Sequence, residues 1–133
     1  MIRIGEIIMA DNNKKILIAE DDIFVADIYH LKLTQEGFDV TMAEDGQAVM
    51  KKFEEGYIPD LMLLDIMMPR MNGLEVLAEM KKNEKLKDIR VILLSNLSQK
   101  EEIKEGMALG AADYLVKSYF TPSEVLKKVE ENL

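Results

Sequence analysis

The feature that most constrains the fold is an uninterrupted apolar run, residues 61–64, that leads directly into one carboxylate, Asp65. Turn signals bound the run, with Pro59 before it and a loop that ends at Pro69 after it. Such a run predicts a strand buried on both faces, because a strand with one wet face would alternate with polar residues. Asp65 is therefore predicted at the carboxyl end of a central strand, where open α/β sheets bind their ligands.

A second acidic cluster follows another apolar run. Residues 16–19 are all apolar, and Glu20, Asp21 and Asp22 come directly after them. If the two strands are parallel neighbours, their carboxylates meet at one edge of the sheet, and several carboxylates in one pocket need a cation. Oxygen ligands without His or Cys nearby suit Mg²⁺ rather than zinc. We therefore expect a magnesium site at this edge.

Composition narrows the class of protein. The chain has 133 residues, of which 48% are hydrophobic and 32% charged, and this fits one globular domain with its own core. Its net charge of −8 argues against direct binding of nucleic acid or an anionic membrane. There is no cysteine, and the single histidine, His30, leaves no basis for a His-based metal site. No apolar run approaches a membrane span and no signal peptide is visible, so we expect a cytoplasmic protein.

Strand and helix patterns alternate five times along the chain. The predicted strands cover residues 15–20, 38–42, 61–65, 91–94 and 113–117, and the predicted helices cover residues 23–36, 46–55, 74–83, 99–109 and 122–133. This alternation predicts an α/β fold in which helices cover both faces of a parallel sheet. Residues 1–13 lack a clear period, and we interpret them as an N-terminal arm, disordered in the simplest interpretation, ahead of a domain at residues 14–133.

Local signals add detail to three elements. In the first helix Phe24, Ile28 and Leu31 recur at steps of four and three, the spacing of an apolar helix face. The second strand alternates apolar and polar residues, which predicts an edge strand. Ser98 is the predicted cap of the fourth helix, and Thr121 is the predicted cap of the fifth, in the form of a capping box.

Four motifs together resemble the receiver domain of two-component response regulators. They are residues 16–22, residues 65–69, Ser95 and Lys117, and their order and spacing agree with that family over nearly the whole chain. The resemblance implies a doubly wound, flavodoxin-like sheet of five parallel strands in the order 2-1-3-4-5, with five helices on its two faces.

The resemblance assigns a role to the acidic residues. Asp65 would be the phospho-acceptor and would attack phosphorus as a carboxylate nucleophile. Asp21 would bind Mg²⁺ directly and Glu20 through water, and the main-chain carbonyl of Met67 would complete the metal site. Mg²⁺ would neutralise and orient the transferring phosphoryl group. Asp22 is instead the expected N-cap of the first helix.

Three further residues receive roles from the same resemblance. Ser95, at the end of the fourth strand, would bond a phosphoryl oxygen. Lys117, at the end of the fifth strand, would pair with the phosphoryl group or with the Asp65 carboxylate. Tyr114 has two interpretations: a switch residue that rotates with Ser95, or a half-buried tyrosine of an edge strand.

The sequence departs from the family pattern at three places. Ser118 follows Lys117 where family members usually have proline after a cis bond. A cis bond before a non-proline residue costs roughly 3–4 kcal/mol, so either the pocket enforces it or the bond is trans. Met67 and Leu97 stand where some members carry an amide or an acid that orients the hydrolytic water. Asn96 occupies a position where a small residue is common.

The resemblance implies a stand-alone receiver domain that acts as a phosphorylation-dependent signalling switch. It would accept a phosphoryl group from a sensor histidine kinase or a phosphotransfer protein, catalyse its own phosphorylation and dephosphorylation, and turn over no external substrate. The charge added at Asp65 would shift a two-state equilibrium that an unknown downstream protein senses. We expect a monomer or a phosphorylation-dependent dimer, with no direct contact to nucleic acid or membrane.

Two alternatives stay open from the residues alone. One is a phosphatase with an Asp nucleophile on a similar sheet, although Met67 stands where such enzymes typically carry their general acid. The other is a receiver excised from a larger regulator or a hybrid kinase. A pseudo-receiver that only binds partners is disfavoured, because Asp21, Asp65, Ser95 and Lys117 are all intact.

Overall fold

The computed structural model describes residues 13–133, in which five strands and five α-helices alternate along the chain. The strands are β1 (Lys15–Ala19), β2 (Asp39–Ala43), β3 (Leu61–Asp65), β4 (Arg90–Ser95) and β5 (Asp113–Val116). The helices are α1 (Ile23–Gln35), α2 (Gly46–Glu54), α3 (Gly73–Lys81), α4 (Lys100–Ala108) and α5 (Pro122–Glu131). The predicted N-terminal arm lies outside the described residues except for Asn13. No helix within the described part has the length and apolar character that a membrane span requires.

The five strands form one parallel sheet in the order β2-β1-β3-β4-β5. This confirms the predicted strand order and the edge position of β2. The order reverses at β1, since β2 lies on one side of β1 and β3 on the other. In open α/β sheets, ligands bind outside the carboxyl ends of the strands at such a switch point. The register pairs Ala19 with Leu64, so the next residues, Glu20 and Asp65, lie at the same edge of the sheet.

Two apolar cores lie on opposite faces of the sheet. Alternate residues of the central strands belong to each core, for example Leu17 and Met62 to one and Ile18 and Leu63 to the other. Helices α2, α3 and α4 cover the first face, and α1 and α5 cover the second. Every residue of β3 is buried, as the apolar run predicts. The carboxylate that ends β3 therefore lies on a strand that close packing holds from both sides.

The buried face of α1 differs from the predicted one. Phe24, Ile28 and Leu31 are exposed, and 78% of Phe24 is accessible to solvent. The buried residues of this helix are a different set, Ala26, Tyr29 and Leu33. Both sets have helical spacing, so they form two apolar faces on opposite sides of one helix. The spacing predicts the helix but not the face that packs on the sheet. The residues that pack there are Ala26, Tyr29 and Leu33.

The first turn of α4 also differs from the prediction. Ser98 is not the cap; Gln99 occupies the N-cap position and makes no side-chain capping bond. The Ser98 amide and hydroxyl donate to Asn96 Oδ1 at 3.0 and 2.7 Å, and the Asn96 amide donates to Gln99 Oε1 at 2.8 Å. These bonds satisfy the turn internally and leave the Ser98 hydroxyl occupied. The predicted capping box of α5, formed by Thr121 and Glu124, is present.

Candidate functional site

Three carboxylates meet at the carboxyl edge of the sheet. Glu20 and Asp21 follow β1, and Asp65 ends β3. One oxygen from each of the three lies within 4.8 Å of the others. Glu20 and Asp65 are buried, whereas Asp21 is exposed. The structure therefore brings the two acidic clusters together at one edge of the sheet, as predicted.

Lys117 joins the two buried carboxylates. Its Nζ donates to Glu20 Oε1 at 2.9 Å and to Asp65 Oδ2 at 3.1 Å. The other oxygens accept from the main chain: the Asp22 amide donates to Glu20 Oε2 at 3.1 Å, and the Met67 amide donates to Asp65 Oδ1 at 3.3 Å. Each buried carboxylate thus has a donor on both oxygens, which offsets the cost of its burial.

Burial and hydrogen bonding alter the protonation of the cluster. Burial, the largest cause, and a hydrogen bond with Asp65 together raise the pKa of Glu20 to about 7, although the hydrogen bond with Lys117 opposes the change. Burial also raises the pKa of Asp21, and a hydrogen bond with Glu20 adds to the effect. Burial alone would lower the pKa of Lys117, but hydrogen bonds and attraction to Glu20 and Asp65 outweigh it and raise this pKa. Lys117 is therefore a cation, whereas Glu20 changes charge near neutral pH.

The donor set fits a hard divalent cation. Glu20, Asp21 and Asp65 offer carboxylate oxygen alone, and no His or Cys joins this cluster within residues 13–133. Oxygen ligands of this kind, completed by water, are those that Mg²⁺ prefers. The metal role of the Met67 carbonyl stays a prediction; the Met67 side chain is exposed, and its amide bonds to Asp65.

Asp22 has a different position from its two neighbours. Its side chain accepts hydrogen bonds from the amides of Phe24 and Val25, at 3.0 and 3.3 Å. It is therefore the N-cap of α1, as predicted. The structure separates this capping carboxylate from the cluster formed by Glu20, Asp21 and Asp65.

Ser95 and Tyr114 lie on the neighbouring strands β4 and β5. Ser95 is fully buried, and its hydroxyl donates to the Leu115 carbonyl at 3.2 Å. The hydroxyl is thus engaged with the β5 backbone, and its predicted bond to a phosphoryl oxygen stays a prediction. The Tyr114 side chain is exposed on β5, which is compatible with both interpretations of this residue.

The peptide bond between Lys117 and Ser118 is trans, as are the other peptide bonds of residues 13–133. Lys117 follows β5 directly and begins a short 3₁₀ turn, Lys117–Tyr119, so the strand ends one residue earlier than predicted. Its ammonium still reaches both Glu20 and Asp65.

A close backbone approach fixes the base of the loop between β3 and α3. The Gly73 amide donates to the Ile66 carbonyl at 3.0 Å. A Cβ at position 73 would collide with the carbonyl oxygen of Asp65, so only glycine permits this contact without a shift of the backbone. Asn72-Gly73 is a recognisable turn signal in the sequence, but no local pattern indicates that this glycine lies against Asp65.

One ion pair of the loop after β3 is not predicted by the sequence. Arg70, in the loop after β3, donates from Nε to Asp45 Oδ2 at 2.7 Å, and Asp45 is the N-cap of α2. A hydrogen bond from the Ala48 amide and the nearby guanidinium of Arg70 hold the pKa of Asp45 below its usual range. Asp45 before Gly46 is a recognisable capping signal, but its partner lies 25 residues away and no local pattern indicates it.

Sequence comparison finds similarity over most of the chain. A sequence model of the response regulator receiver domain matches residues 16–130. The alkaline phosphatase synthesis transcriptional regulatory protein PhoP of Bacillus subtilis is 33% identical over 118 residues, which cover 89% of this chain and 48% of PhoP. This chain spans about half the length of the curated relatives that it matches.

Solved structures show the same similarity. The chemotaxis response regulator CheY4 of Vibrio cholerae has a TM-score of 0.83 and 28% identity, covering 92% of this chain and 100% of that chain. The Mn(2+)-bound form of response regulator Rcp1 has a TM-score of 0.75 and 29% identity, covering 89% and 90%. The strand order, the acidic edge and the matched residues agree in one conclusion. This chain belongs to the response regulator receiver domain family of two-component systems.

Proposed function

We propose that this chain is a phosphorylation-dependent switch in which Asp65 accepts a phosphoryl group from a histidine kinase. The observation that carries the proposal is the environment of Asp65: a buried carboxylate beside two other carboxylates, with the Lys117 ammonium 3.1 Å from its Oδ2. A carboxylate held in this way is a positioned nucleophile next to the positive charge that an incoming phosphoryl group requires.

In the proposed reaction a carboxylate oxygen of Asp65 attacks the phosphorus of a phosphohistidine. The new P–O bond forms as the P–N bond breaks, and the histidine nitrogen leaves with the electron pair of that bond. Lys117 places one positive charge beside the oxygens of the transferring group. Glu20, Asp21 and Asp65 would hold Mg²⁺, which when bound neutralises further charge on the phosphoryl oxygens.

The added charge supplies the switch. In this proposal the phosphoryl group competes with the Leu115 carbonyl for the Ser95 hydroxyl and with Glu20 for the Lys117 ammonium. Both residues adjoin β5, so their rearrangement is transmitted to that strand and to Tyr114. The modification then acts as a ligand that favours one of two arrangements of this region.

We propose that the partner kinase contacts the exposed apolar face of α1, formed by Ile23, Phe24, Ile28 and Leu31. This face begins two residues after Asp21, so a protein seated on it lies next to the acidic cluster. A contiguous apolar stripe on a helix surface is typical of a protein interface. The relatives whose names describe transcriptional regulators are about twice as long as this chain. We propose that this chain acts on a separate downstream protein.

The test is chemical phosphorylation followed by intact-mass measurement. Incubation with acetyl phosphate and Mg²⁺ is expected to add one phosphoryl group to the wild type and none to Asp65→Asn. Asp22→Asn is the matched control, since asparagine also caps a helix and the residue lies outside the carboxylate cluster. Unchanged labelling in Asp65→Asn would exclude Asp65 as the acceptor.

The same samples separate the switch from a phosphatase. An Asp-nucleophile phosphatase would turn over p-nitrophenyl phosphate, whereas a receiver is expected to release little p-nitrophenol. The Met67 thioether has no proton to give to a leaving group, which supports the expectation. Steady turnover that Asp65→Asn abolishes would favour the phosphatase.

A further inference from the structure

Arg70 has an unusual backbone conformation for its residue type. Its φ angle is 67°, and it is the one non-glycine residue with a positive φ among residues 13–133. The left-handed region is disfavoured for a side chain with a Cβ and is usually occupied by Gly, Asn or Asp. A residue of this kind persists there only where the surrounding contacts hold it, and such sites cluster at functional loops.

Two contacts hold Arg70: a backbone hydrogen bond across it, in which the Met71 amide donates to the Pro69 carbonyl at 2.7 Å, and the ion pair of its side chain with Asp45. The bond from Arg70 Nε to Asp45 Oδ2 is 2.7 Å long, and Asp45 Oδ1 accepts from the Ala48 amide at 2.8 Å. The Asp45 side chain is 6% exposed and the Arg70 side chain 55%. One nearly buried carboxylate therefore ties the first turn of α2 to the loop after β3.

Backbone contacts beside the pair bring the same two segments together. The Gly46 amide donates to the Met71 carbonyl at 3.1 Å, and a Cβ at position 46 would collide with that carbonyl oxygen. At its other end the loop begins at Asp65, where the Met67 amide bonds to Asp65 Oδ1 at 3.3 Å. The loop of residues 66–72 thus runs from the acidic cluster to an anchor on α2.

We propose that Arg70 and Asp45 are positioning residues for the acidic site. Their ion pair fixes the shape of the loop that carries the main-chain carbonyl of Met67, the predicted fourth ligand of the cation. The inference rests on the proposed function, since it concerns the same metal site. Neither residue belongs to the carboxylate cluster, and α2 contributes no member to it. The pair acts through the loop, so its loss lowers the affinity for Mg²⁺ rather than the chemistry at Asp65.

Two substitutions break the pair while each keeps the local backbone preference. Arg70→Asn removes the guanidinium but places at position 70 a residue that tolerates a positive φ. Asp45→Asn removes the charge but retains an N-cap for α2. Asp113→Asn is the matched control, because it removes an ion pair of 2.9 Å with Lys128 that has no member in the loop. Arg70→Gly provides a second way to lose the pair without backbone strain.

The experiment is titration of the phosphate-free chain with Mg²⁺ by calorimetry, with thermal unfolding and amide hydrogen exchange of residues 66–72 measured in metal-free buffer. Both single variants are expected to bind Mg²⁺ roughly three- to tenfold more weakly than the wild type. The double variant Arg70→Asn, Asp45→Asn is expected to bind Mg²⁺ no more weakly than the weaker of its two single variants, because each substitution removes the same interaction. Exchange in the loop is expected to accelerate, while Asp113→Asn keeps the wild-type metal affinity and loop protection.

The outcomes separate this inference from the proposed function. Wild-type affinity for Mg²⁺ in Arg70→Asn, Arg70→Gly and Asp45→Asn overturns the positioning role, even if their melting temperatures fall. At saturating Mg²⁺, acetyl phosphate is expected to label these variants at close to the wild-type rate, because the ion pair affects only the dissociation constant for Mg²⁺. If the wild type itself takes no phosphoryl group, the proposed function fails, and the metal titration still decides the role of the pair.

Discussion

At the scale of single residues, the charge balance around Lys117 governs the site. Glu20, Asp21 and Asp65 face this one ammonium, so three negative charges against one positive leave a net charge of −2 when all are ionised. A divalent cation would neutralise that charge, and protonation of Glu20 would lower it by one. Burial raises the pKa of Glu20 to about 7, so these two responses compete within the physiological range.

The affinity for Mg²⁺ is predicted to rise between about pH 6 and pH 8, because binding requires ionised Glu20 and its pKa is about 7. Glu20→Gln removes the titrating group and is expected to flatten the dependence of Mg²⁺ affinity on pH.

The stability of the metal-free chain is expected to change with pH in the opposite direction. The folded-state pKa is raised, so the contribution of Glu20 to the stability of the metal-free chain is present below about pH 4.5 and lost as pH rises through 7. Calorimetric titration across this range measures the first effect, and thermal unfolding measures the second.

The neighbouring acids serve as controls for that titration. Asp21→Asn is expected to weaken Mg²⁺ binding at every pH, because it removes an oxygen ligand of full charge. Asp22→Asn is expected to leave both the affinity and its pH dependence unchanged, since Asp22 caps α1. A pH dependence of the same size in Glu20→Gln and the wild type would show that another group titrates.

Two other residues are predicted to set the lifetime of the phosphorylated state. Met67 and Leu97 are 59% and 55% exposed, and neither side chain can hydrogen-bond a water in line with the P–O bond. Loss of such positioning slows hydrolysis, about tenfold for each 1.4 kcal/mol of barrier. We therefore expect a long-lived phosphoprotein and faster decay in the double variant Met67→Asn, Leu97→Glu. Phosphate release after removal of the donor measures both; equal decay rates contradict the prediction.

At the scale of elements, α1 shows both what sequence pattern predicts and what it leaves undecided. The chain carries two apolar stripes with helical spacing, and either fits a helix on a sheet. The sheet takes the stripe of Ala26, Tyr29 and Leu33, and the larger stripe of Phe24, Ile28 and Leu31 stays in solvent. An exposed stripe of this kind is typical of a protein interface.

The α1 face is predicted to serve transfer from the kinase but not chemical phosphorylation. In the double variant Phe24→Ser, Ile28→Ser, transfer from a histidine kinase that phosphorylates the wild type is expected to slow by about tenfold or more, because apolar anchors dominate interface energy. Labelling by acetyl phosphate is expected to stay unchanged, since neither side chain belongs to the carboxylate cluster. Gln35→Ser, at the far end of α1, is the control. Equal loss of both reactions would place the defect in the fold instead of the interface.

At the scale of the whole molecule, the predictable part is the scaffold and the unpredictable part is the set of long-range contacts. An uninterrupted apolar run such as residues 61–64 predicts a strand buried on both faces. The carboxyl ends of neighbouring parallel strands lie at the same edge of the sheet. The strand order came from the resemblance of four motifs to a known family, because alternation alone permits several orders.

Contacts that depend on tertiary packing lay beyond the sequence. The pair of Arg70 with Asp45 joins two loops whose separation along the chain carries no periodic signal. The approach of Gly73 to the Asp65 carbonyl depends on how α3 leaves the sheet. The Ser95 hydroxyl bond to the Leu115 carbonyl likewise requires the register of β4 and β5.

The proposed switch is a change in the region around β5 that phosphorylation of Asp65 causes through Ser95 and Lys117. Hydrogen exchange with and without beryllofluoride and Mg²⁺, in the wild type and in Asp65→Asn, tests it most directly. Beryllofluoride is expected to alter exchange in Lys100–Ala108, in Asp113–Val116 and in the loop after Asp65 of the wild type. It is expected to alter none of these segments in Asp65→Asn. A change confined to the loop in the wild type, or one that persists in Asp65→Asn, would contradict a switch that passes from Asp65 to β5.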